Sequence, residues 1–137
     1  MPLYDEIWAL EGRLAIPGGS ALNSARSTNF MLQNSGHEGL VTYYGSIGKD
    51  EKGEVLAKDL KDTGITGNFY MDETAPTGTC AVLVKKTERT LVANLAAACN
   101  YNIEHLRANM DALKNAKLIY STSFFITSNK EALLEVG

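Results

Sequence analysis

The sequence predicts an α/β fold in which helices flank a parallel sheet and a small β-hairpin is set against it. Segments with apolar residues at helical spacing alternate with short runs rich in β-branched and aromatic residues. This alternation is typical of a parallel sheet with crossover helices. Late in the first 100 residues, two strand-like runs are separated only by the polar residues 85–89, which favours a hairpin.

The composition limits the classes of function that the chain can serve. It has 137 residues, of which 45% are hydrophobic, enough for one globular domain or part of a larger one. The net charge of −3 offers no basic surface for nucleic acid or anionic lipid. No apolar run is long enough for a membrane span, and Cys80 and Cys99 lack zinc-ligand spacing. We expect a soluble cytoplasmic protein without nucleic-acid or membrane partners.

The first elements are predicted from periodicity and from the residues that interrupt it. Residues 2–10 form a short amphipathic helix, with proline in its first turn. A brief apolar stretch stops at residues 17–19, Pro-Gly-Gly, and a second helix covers 20–32. The turn-forming residues 33–36 end this helix. Residues 40–44 follow as a strand rich in β-branched and aromatic side chains.

The middle of the chain continues the alternation. Asp50 is a good N-cap for a helix that ends at residues 63–64, Thr-Gly. Residues 65–71 then form a strand. After a Pro-containing turn, residues 79–84 and 90–95 form the two strands of the hairpin.

The last third predicts a helix at residues 102–115, a strand at 117–120 and a final helix. Ser128 and Glu131 have the spacing of a capping box, which indicates that the final helix opens there. A strand–helix unit normally continues into a further strand, and the first helix has no strand before it. We therefore expect this chain to be a truncated portion of a larger domain; the alternative is a compact small domain.

A glycine pair before the second helix is the first candidate binding element. Gly18 and Gly19 let the backbone approach a ligand, and the following helix N-terminus presents unpaired N–H groups. The amide of Asn23, one turn further on, could reach a bound hydroxyl. The alternative is a tight strand–helix junction with Ser20 as N-cap and Asn23 solvated, and spacing alone favours that alternative.

The hairpin carries the second set of candidates. Thr77 and Thr79 could donate hydrogen bonds to a ligand, although Pro-Thr-Gly is also ordinary turn chemistry. Cys80, at the start of a strand, is most often a small buried hydrophobe. Arg89 near the hairpin tip is either simply solvated or able to fold over a phosphate.

Aromatic and histidine side chains add little by themselves. Phe124 and Phe125 follow the predicted strand that ends at Tyr120, where ligands collect in parallel sheets, so one of the rings could stack on a base or belong to the core. His37 and His105 are expected at the surface. No nucleophile–base pair or carboxylate pair stands out. The residues alone thus predict an α/β chain with a polar small-molecule pocket.

Five sequence strings together resemble a known family. PGGSALNSA at residues 17–25 is similar to the N-terminal signature of ribokinase-like carbohydrate and nucleoside kinases, the PfkB family. PTGTCAV at 76–82 and ERTLVANLAAA at 88–98 resemble the eukaryotic adenosine kinases within it. YYGSIGKD at 43–50 and YSTSFF at 120–125 occur in the expected order. The similarity extends over essentially the whole chain.

The resemblance implies a ribokinase-like fold with a small β lid, formed here by segments at roughly 12–19 and 66–95 of a partial domain covering 1–137. It implies an enzyme of purine salvage, which transfers the γ-phosphate of ATP to the 5′-hydroxyl of adenosine to give AMP. Magnesium is the implied metal, adenosine and ATP are the implied partners, and the full-length protein is expected to be a monomer.

The resemblance also assigns roles to individual residues. Eight residues match family positions at the nucleoside: Gly18, Gly19, Ser20, Asn23, Cys80, Leu91, Ala93 and Phe124. Among them, Gly19 and Asn23 resemble the positions that hold the ribose hydroxyls, and Ser20 lies beside the base. Phe124 resembles the aromatic that stacks on adenine. Arg89 resembles the lid arginine that meets the transferred phosphate.

Several family features are missing from this sequence. The Gly-Ala-Gly-Asp motif with the catalytic base, the Asn-x-x-Glu segment tied to magnesium and the first-strand aspartate that clamps the ribose do not occur. Cys99 stands where asparagine is usual, and Ser123 replaces a common glycine. The resemblance therefore implies an N-terminal portion without the ATP site, inactive alone. The alternatives are a kinase for another sugar or nucleoside and a non-catalytic nucleoside-binding module.

Overall fold

The computed structural model describes residues 2–137. Within this range the chain forms helices, strands and one short 3₁₀ helix in alternating order. The α-helices are α1 (Pro2–Ala9), α2 (Ser20–Asn34), α3 (Glu51–Asp62), α4 (Ile103–Ala108), α5 (Met110–Lys114) and α6 (Phe124–Val136). The strands are β1 (Thr42–Gly48), β2 (Thr66–Asp72), β3 (Thr79–Lys85) and β4 (Glu88–Asn94), and the 3₁₀ helix is Ala96–Cys99. None of the helices in the described range is long and apolar enough to cross a bilayer.

Two separate two-stranded sheets give the architecture. Strands β1 and β2 pair in parallel, from Thr42 opposite Thr66 to Gly48 opposite Asp72, with α3 as the crossover between them. Strands β3 and β4 pair antiparallel around a tight turn, in which Lys86 has a φ of 56°. The predicted parallel sheet and hairpin are confirmed. Strand β1 continues through Gly45 to Gly48, beyond its predicted end, because β2 supplies hydrogen-bond partners along that whole length.

Two small hydrophobic clusters hold the chain together. One lies under the parallel sheet and contains Leu22 of α2, Leu60 of α3 and Ile65. The other is formed near the C-terminal helices by Tyr101, Leu106, Leu113 and Ala132. Each cluster joins elements that are distant in sequence, because the amphipathic helices α2, α3 and α6 turn their apolar faces inwards.

Helix α1 packs on the hairpin rather than on the parallel sheet. The hydroxyl of Tyr4 donates a hydrogen bond to the carbonyl oxygen of Val92 in β4, at 3.1 Å. At the other end of α1, two cations contact the Trp8 ring: the guanidinium of Arg13, 4.7 Å from the ring centroid, and the ammonium of Lys52, at 5.2 Å. Helix α1 thus contacts both the hairpin and the first turn of α3.

The single helix predicted at residues 102–115 is wrong, because Asn109 divides it into α4 and α5. Asn109 has φ −115° and ψ 15°, outside the helical range. Its side-chain amide donates to the carbonyl oxygen of His105 at 2.8 Å. Short polar side chains compete in this way with the helical backbone, which ends one helix and starts the next.

The strand predicted at residues 117–120 does not form in the described chain. This segment begins with a bend at Lys117 and pairs with no strand within residues 2–137. The side chains of Leu118 and Tyr120 are 84% and 64% exposed. The strand-like composition is present, but a strand needs a neighbour for its backbone hydrogen bonds, and composition does not supply one.

The final helix begins earlier and is capped differently from the prediction. Helix α6 starts at Phe124 and is interrupted at Asn129, which has φ −156° and ψ 92°. The side-chain oxygen of Asn129 accepts a hydrogen bond from the N–H of Ala132 at 2.9 Å, so Asn129 caps the second half of the helix. Ser128 instead donates to the carbonyl oxygen of Ala98 at 2.8 Å. The predicted capping box at Ser128 is therefore wrong by one residue.

Candidate functional site

The N-terminus of α2 is open to solvent. Gly19 is the N-cap and has a φ of 105°, a backbone conformation that favours glycine. Its carbonyl oxygen accepts the N–H of Asn23 at 2.9 Å, the first bond of the helix. Ser20 is the first helical residue, so the alternative that made Ser20 the N-cap is wrong. Gly18, Gly19 and Ser20 are exposed, which leaves this helix end accessible to a ligand.

Arg26, which sequence reasoning missed, orders this region. Its guanidinium donates to the carbonyl oxygen of Pro17 at 2.6 Å and to Oδ1 of Asn23 at 3.4 Å. It also forms an ion pair with Asp59 of α3. Because Arg26 occupies the oxygen of the Asn23 amide, the Asn23 Nδ2 is left to donate outwards.

One face of the hairpin is covered near its base, and the other face is open along its length. Ala81 in β3 is buried, and Val92 in β4 is half-buried beneath α1. The open face consists of three cross-strand pairs whose members are all exposed: Cys80 with Ala93, Val82 with Leu91, and Val84 with Arg89. Cys80 is thus not the buried hydrophobe that its position at a strand start favoured. The open face is apolar near the sheet and cationic near its tip.

The two phenylalanines at the start of α6 have different surroundings. Phe125 packs in the core against Tyr101, with ring centroids 5.3 Å apart and an angle of 70° between the rings. Phe124 begins α6 and is 37% exposed. Phe124 is therefore the ring that is free to stack on a flat ligand.

Thr77 is tied to the end of β1 and is not available to a ligand. Its hydroxyl donates to Oδ1 of Asp50 at 2.6 Å and accepts the N–H of Gly48 at 3.0 Å. Its backbone N–H donates to the other oxygen, Oδ2 of Asp50, at 2.8 Å. Burial by itself would raise the pKa of Asp50, but the hydrogen bonds from Thr77 and Gly53 outweigh it and hold the pKa below its ordinary value.

Asp72 fixes the far end of β2 in a similar way. Its buried carboxylate accepts hydrogen bonds from Asn100, from the N–H and hydroxyl of Thr74 and from the N–H of Ala75. The bond from Asn100 contributes most to holding the pKa of Asp72 well below its usual range, and the bonds from Thr74 and Ala75 add to it. Sequence reasoning missed Asp72, whose only signal is an acidic residue at a strand end.

His105 is not the surface residue that was expected. It is half-buried, and its Nε2 lies 2.7 Å from Oδ1 of Asn68 in β2. Its ring makes edge contacts with the rings of Tyr70 and Tyr101, at centroid distances of 6.0 and 5.9 Å. His37, by contrast, is exposed. His105 therefore links α4 to the parallel sheet and has no part in the candidate site.

The described residues supply no cluster of side chains that could hold a metal ion by themselves. Within residues 2–137, no three His, Cys, Asp or Glu side chains lie close enough to hold a metal ion. The oxygens of Asp50 and Asp72 already accept hydrogen bonds from the protein. No step of a reaction is therefore assigned to magnesium on these residues.

The candidate residues form three groups: the N-terminus of α2, the open face of the hairpin, and Phe124. Hydrogen bonds connect residues within the first group, and cross-strand pairing connects those of the second. In the part of the chain that the structure describes, no hydrogen bond joins one group to another. Such a set can bind a small molecule with a flat apolar part and hydroxyls if the hairpin approaches α2.

Comparison with known protein families identifies the chain. Residues 14–136 match the family described as pfkB family carbohydrate kinase. The chain belongs to this family. Proteins related to this pfkB chain include Adenosine kinase 2 of Arabidopsis thaliana, 41% identical over 97% of the chain, and the adenosine kinase of Dictyostelium discoideum, 36% identical over 100%. The chain covers 38% and 40% of these relatives, so it spans about two-fifths of their length.

Solved structures give the same result for the fold. The pfkB chain matches the adenosine kinase of Anopheles gambiae, in complex with P1,P4-di(adenosine-5) tetraphosphate, with a TM-score of 0.88 at 37% identity. It matches the adenosine kinase of Schistosoma mansoni, in complex with adenosine in an occluded loop conformation, with a TM-score of 0.88 at 28% identity. These matches cover 99% of the chain and 40% and 39% of the two structures. The predicted family and its ribokinase-like fold are confirmed.

Proposed function

We propose that this chain provides the nucleoside-binding part of an ATP-dependent adenosine kinase, which phosphorylates the 5′-hydroxyl of adenosine to give AMP. The observation that carries the proposal is the similarity to adenosine kinases along nearly the whole chain, at 41% identity to the Arabidopsis thaliana relative. The open α2 N-terminus and the open hairpin face supply surfaces of suitable chemistry.

In this proposal the site residues divide the nucleoside between them. The backbone of Gly18 and Gly19 and the Nδ2 of Asn23 hold the ribose hydroxyls, with Ser20 beside the base. Phe124 stacks on adenine. The apolar part of the hairpin face covers the base from the other side, through Cys80, Leu91 and Ala93.

The lid residues exclude water during phosphoryl transfer. Of the predicted lid segments, 12–19 and 66–95, residues 66–72 form β2 of the parallel sheet. The lid of the proposal is therefore segment 12–19 with the hairpin, and Arg89, exposed next to the hairpin turn, meets the transferred phosphate. Phosphoryl transfer depends on positioning, on charge stabilisation and on a group that orients or deprotonates the attacking hydroxyl. The Gly-Ala-Gly-Asp string that carries this base in the family does not occur in the sequence. We therefore expect no turnover from this chain alone.

The remaining parts of the proposal rest on the resemblance alone. They are binding of ATP and magnesium by residues outside those described, a role in purine salvage, a cytoplasmic location and a monomeric full-length protein. Each of them depends on the assignment as an adenosine kinase and is withdrawn if that assignment is wrong.

ATP-dependent formation of AMP tests the proposal. The chain is assayed alone and fused to the part of Arabidopsis thaliana Adenosine kinase 2 that it does not span. We expect activity only in the fusion. In that fusion, Asn23→Ala should lower kcat/KM for adenosine by about tenfold to a hundredfold, because it removes a hydrogen bond to the substrate. Thr28→Ala, an exposed substitution in the same helix, is the matched control.

Three results would contradict the proposal. A folded fusion that forms no AMP would favour the non-catalytic nucleoside-binding module. Faster phosphorylation of a free sugar or another nucleoside than of adenosine would change the substrate class. Activity in the chain alone would show that the catalytic base lies within it.

A further inference from the structure

The hairpin meets the rest of the chain at a narrow base, formed by residues 76–78 on one side and 95–97 on the other. The N–H of Ala97 donates to the carbonyl oxygen of Pro76 at 3.0 Å and joins the two sides. A Cβ on Gly78 would lie 2.6 Å from the carbonyl oxygen of Leu95. The two chain segments therefore touch through their backbones, and the open face of the hairpin begins two residues beyond.

A second set of contacts ties this base to the parallel sheet. The carboxylate of Asp50 accepts both the hydroxyl and the N–H of Thr77, at 2.6 and 2.8 Å, and the same hydroxyl accepts the N–H of Gly48 at 3.0 Å. Thr77 is only 5% exposed. A Cβ on Gly48 would lie 2.5 Å from the carbonyl oxygen of Ala75. We call this group, Gly48, Asp50 and Thr77, the hinge clamp.

We propose that Asp50 and Thr77 are positioning residues, which fix the direction in which the hairpin leaves the sheet and so hold its open face in register with the α2 N-terminus. The inference rests on the proposed function, since it concerns how the same nucleoside site is assembled. The hinge clamp lies at the base of the hairpin, so it sets the position of the residues further along. A small rotation at Thr77 displaces Leu91 and Arg89, further along the hairpin, by a larger distance.

Thr77 separates this role from helix capping. Asp50 also caps α3 through the bond from the N–H of Gly53 to its Oδ1, at 2.9 Å. Replacing Thr77 by valine removes the hydroxyl and keeps the shape, while the cap on Gly53 and the bond from the Thr77 N–H remain. A serine keeps the hydroxyl. The pair Thr77→Val and Thr77→Ser therefore tests the hydroxyl alone.

The first experiment measures the position of the hairpin directly. Spin labels are attached to Ser27→Cys in α2 and to Thr87→Cys in the hairpin turn, with Cys80 and Cys99 replaced by alanine. The distribution of distances between the two labels is recorded by pulsed electron paramagnetic resonance. We expect a narrow distribution for the parent, a distribution at least about twofold broader for Thr77→Val, and a return to the narrow one for Thr77→Ser. Thr90→Val, the same change at an exposed hairpin position, should leave it unchanged.

The second experiment measures adenosine binding by calorimetry, with the native cysteines in place. We expect Thr77→Val to weaken binding by about tenfold, because the site is no longer pre-organised, and Thr77→Ser to restore it. If Thr77→Val does not fold, Asp50→Asn serves instead, since its amide can still cap Gly53 but turns a donor towards the N–H of Thr77.

The two experiments separate the inference from the proposed function. A distance distribution that Thr77→Val leaves narrow, or that Thr77→Ser fails to restore, overturns the hinge clamp. A broadened distribution together with an unchanged affinity for adenosine in Thr77→Val overturns the role of the hinge clamp in binding. If the parent binds no adenosine while Thr77→Val broadens the distribution, the clamp stands and the proposed function fails.

Discussion

At the scale of single residues, Gly53 is the clearest case of a backbone contact that overrides local preference. It lies in the first turn of α3, where alanine would ordinarily favour the helix by about 0.5–1 kcal/mol. A Cβ there would lie 2.5 Å from the carbonyl oxygen of Gly48 and 2.9 Å from Oγ1 of Thr77. Because neither atom can move freely within the hinge clamp, we expect the steric cost to exceed the helix gain.

Gly53→Ala should therefore lower the free energy of unfolding by about 1–2 kcal/mol net, within the range for overpacking. Urea denaturation measures this change. Gly18→Ala is the matched control, since its nearest atom would be 3.7 Å away and in ordinary contact. A Gly53→Ala variant as stable as the parent would mean that the β1–α3 junction yields easily.

Asp72 makes stability depend on pH in a definite direction. Its hydrogen bonds hold the folded-state pKa below the unfolded value, so Asp72 stabilises the fold above the unfolded pKa of about 3.9 and loses this effect as the pH falls towards the folded pKa. Asp72→Asn should be less stable than the parent at neutral pH. The difference should narrow as the pH is lowered from about 7 to about 3.

Urea unfolding of both proteins across this pH range tests the expectation. Glu38→Gln, at an exposed position, controls for the loss of one negative charge. Two stability curves that run parallel down to the acid limit would show that Asp72 titrates alike in the folded and unfolded chains.

At the scale of elements, α6 gives a direct test of which residue caps a helix. Asn129 accepts the N–H of Ala132 and donates its Nδ2 to the carbonyl oxygen of Tyr101 at 2.8 Å. Asn129→Ala should lower the free energy of unfolding by about 1–2 kcal/mol, since it removes a cap and a half-buried tertiary hydrogen bond together. Ser128→Ala should cost less, because Ser128 makes one hydrogen bond, to Ala98.

Denaturant unfolding of the two variants shows which of them loses more stability. Asn129→Asp should recover part of the loss, because its carboxylate still accepts the Ala132 N–H but cannot donate to Tyr101. A larger loss in Ser128→Ala than in Asn129→Ala would restore the capping box that the sequence favoured.

The elements that sequence predicted well are those whose signals are local. Asp50 as the cap of α3, the hairpin strands and the periodicity of α2 lie within short windows, and the structure has them nearly as expected. The predictions failed where a distant partner decides. His105 finds Asn68 across 37 residues, and residues 117–120 lack a neighbouring strand. The break at Asn109 was local, but one asparagine in a helical pattern carries too little signal.

At the scale of the whole molecule, the candidate site also has parts that local motifs predict and parts that depend on distant contacts. The glycines before α2 and the open hairpin face were singled out from motifs, and the structure leaves both accessible. The supports of the site were missed: Arg26 reaching Asp59, and Thr77 reaching Asp50. These contacts join residues 27 to 33 positions apart and exist only once the sheet and helices are assembled. Motifs thus predicted the surfaces, and tertiary contacts orient them.

The segment at residues 117–120 predicts how the whole chain behaves in solution. Its side chains are typical of a strand, but it has no partner strand in the described range. Unpaired backbone groups beside apolar side chains can form strand pairs with another chain. We expect the isolated chain to self-associate as its concentration rises. Leu118→Ser should reduce this association and change the free energy of unfolding by no more than about 0.5 kcal/mol, because Leu118 is exposed.

Sedimentation velocity over a concentration series, with urea unfolding of the same samples, separates association from stability. Leu106→Ser is the matched control, the same substitution at a core position near α6 where the side chain is 3% exposed. It should lower the free energy of unfolding by about 2–5 kcal/mol. Self-association that Leu118→Ser leaves unchanged would mean that the chain associates through another surface. The open face of the hairpin, with Val82 and Leu91 exposed, is the next apolar surface to test, by Leu91→Ser.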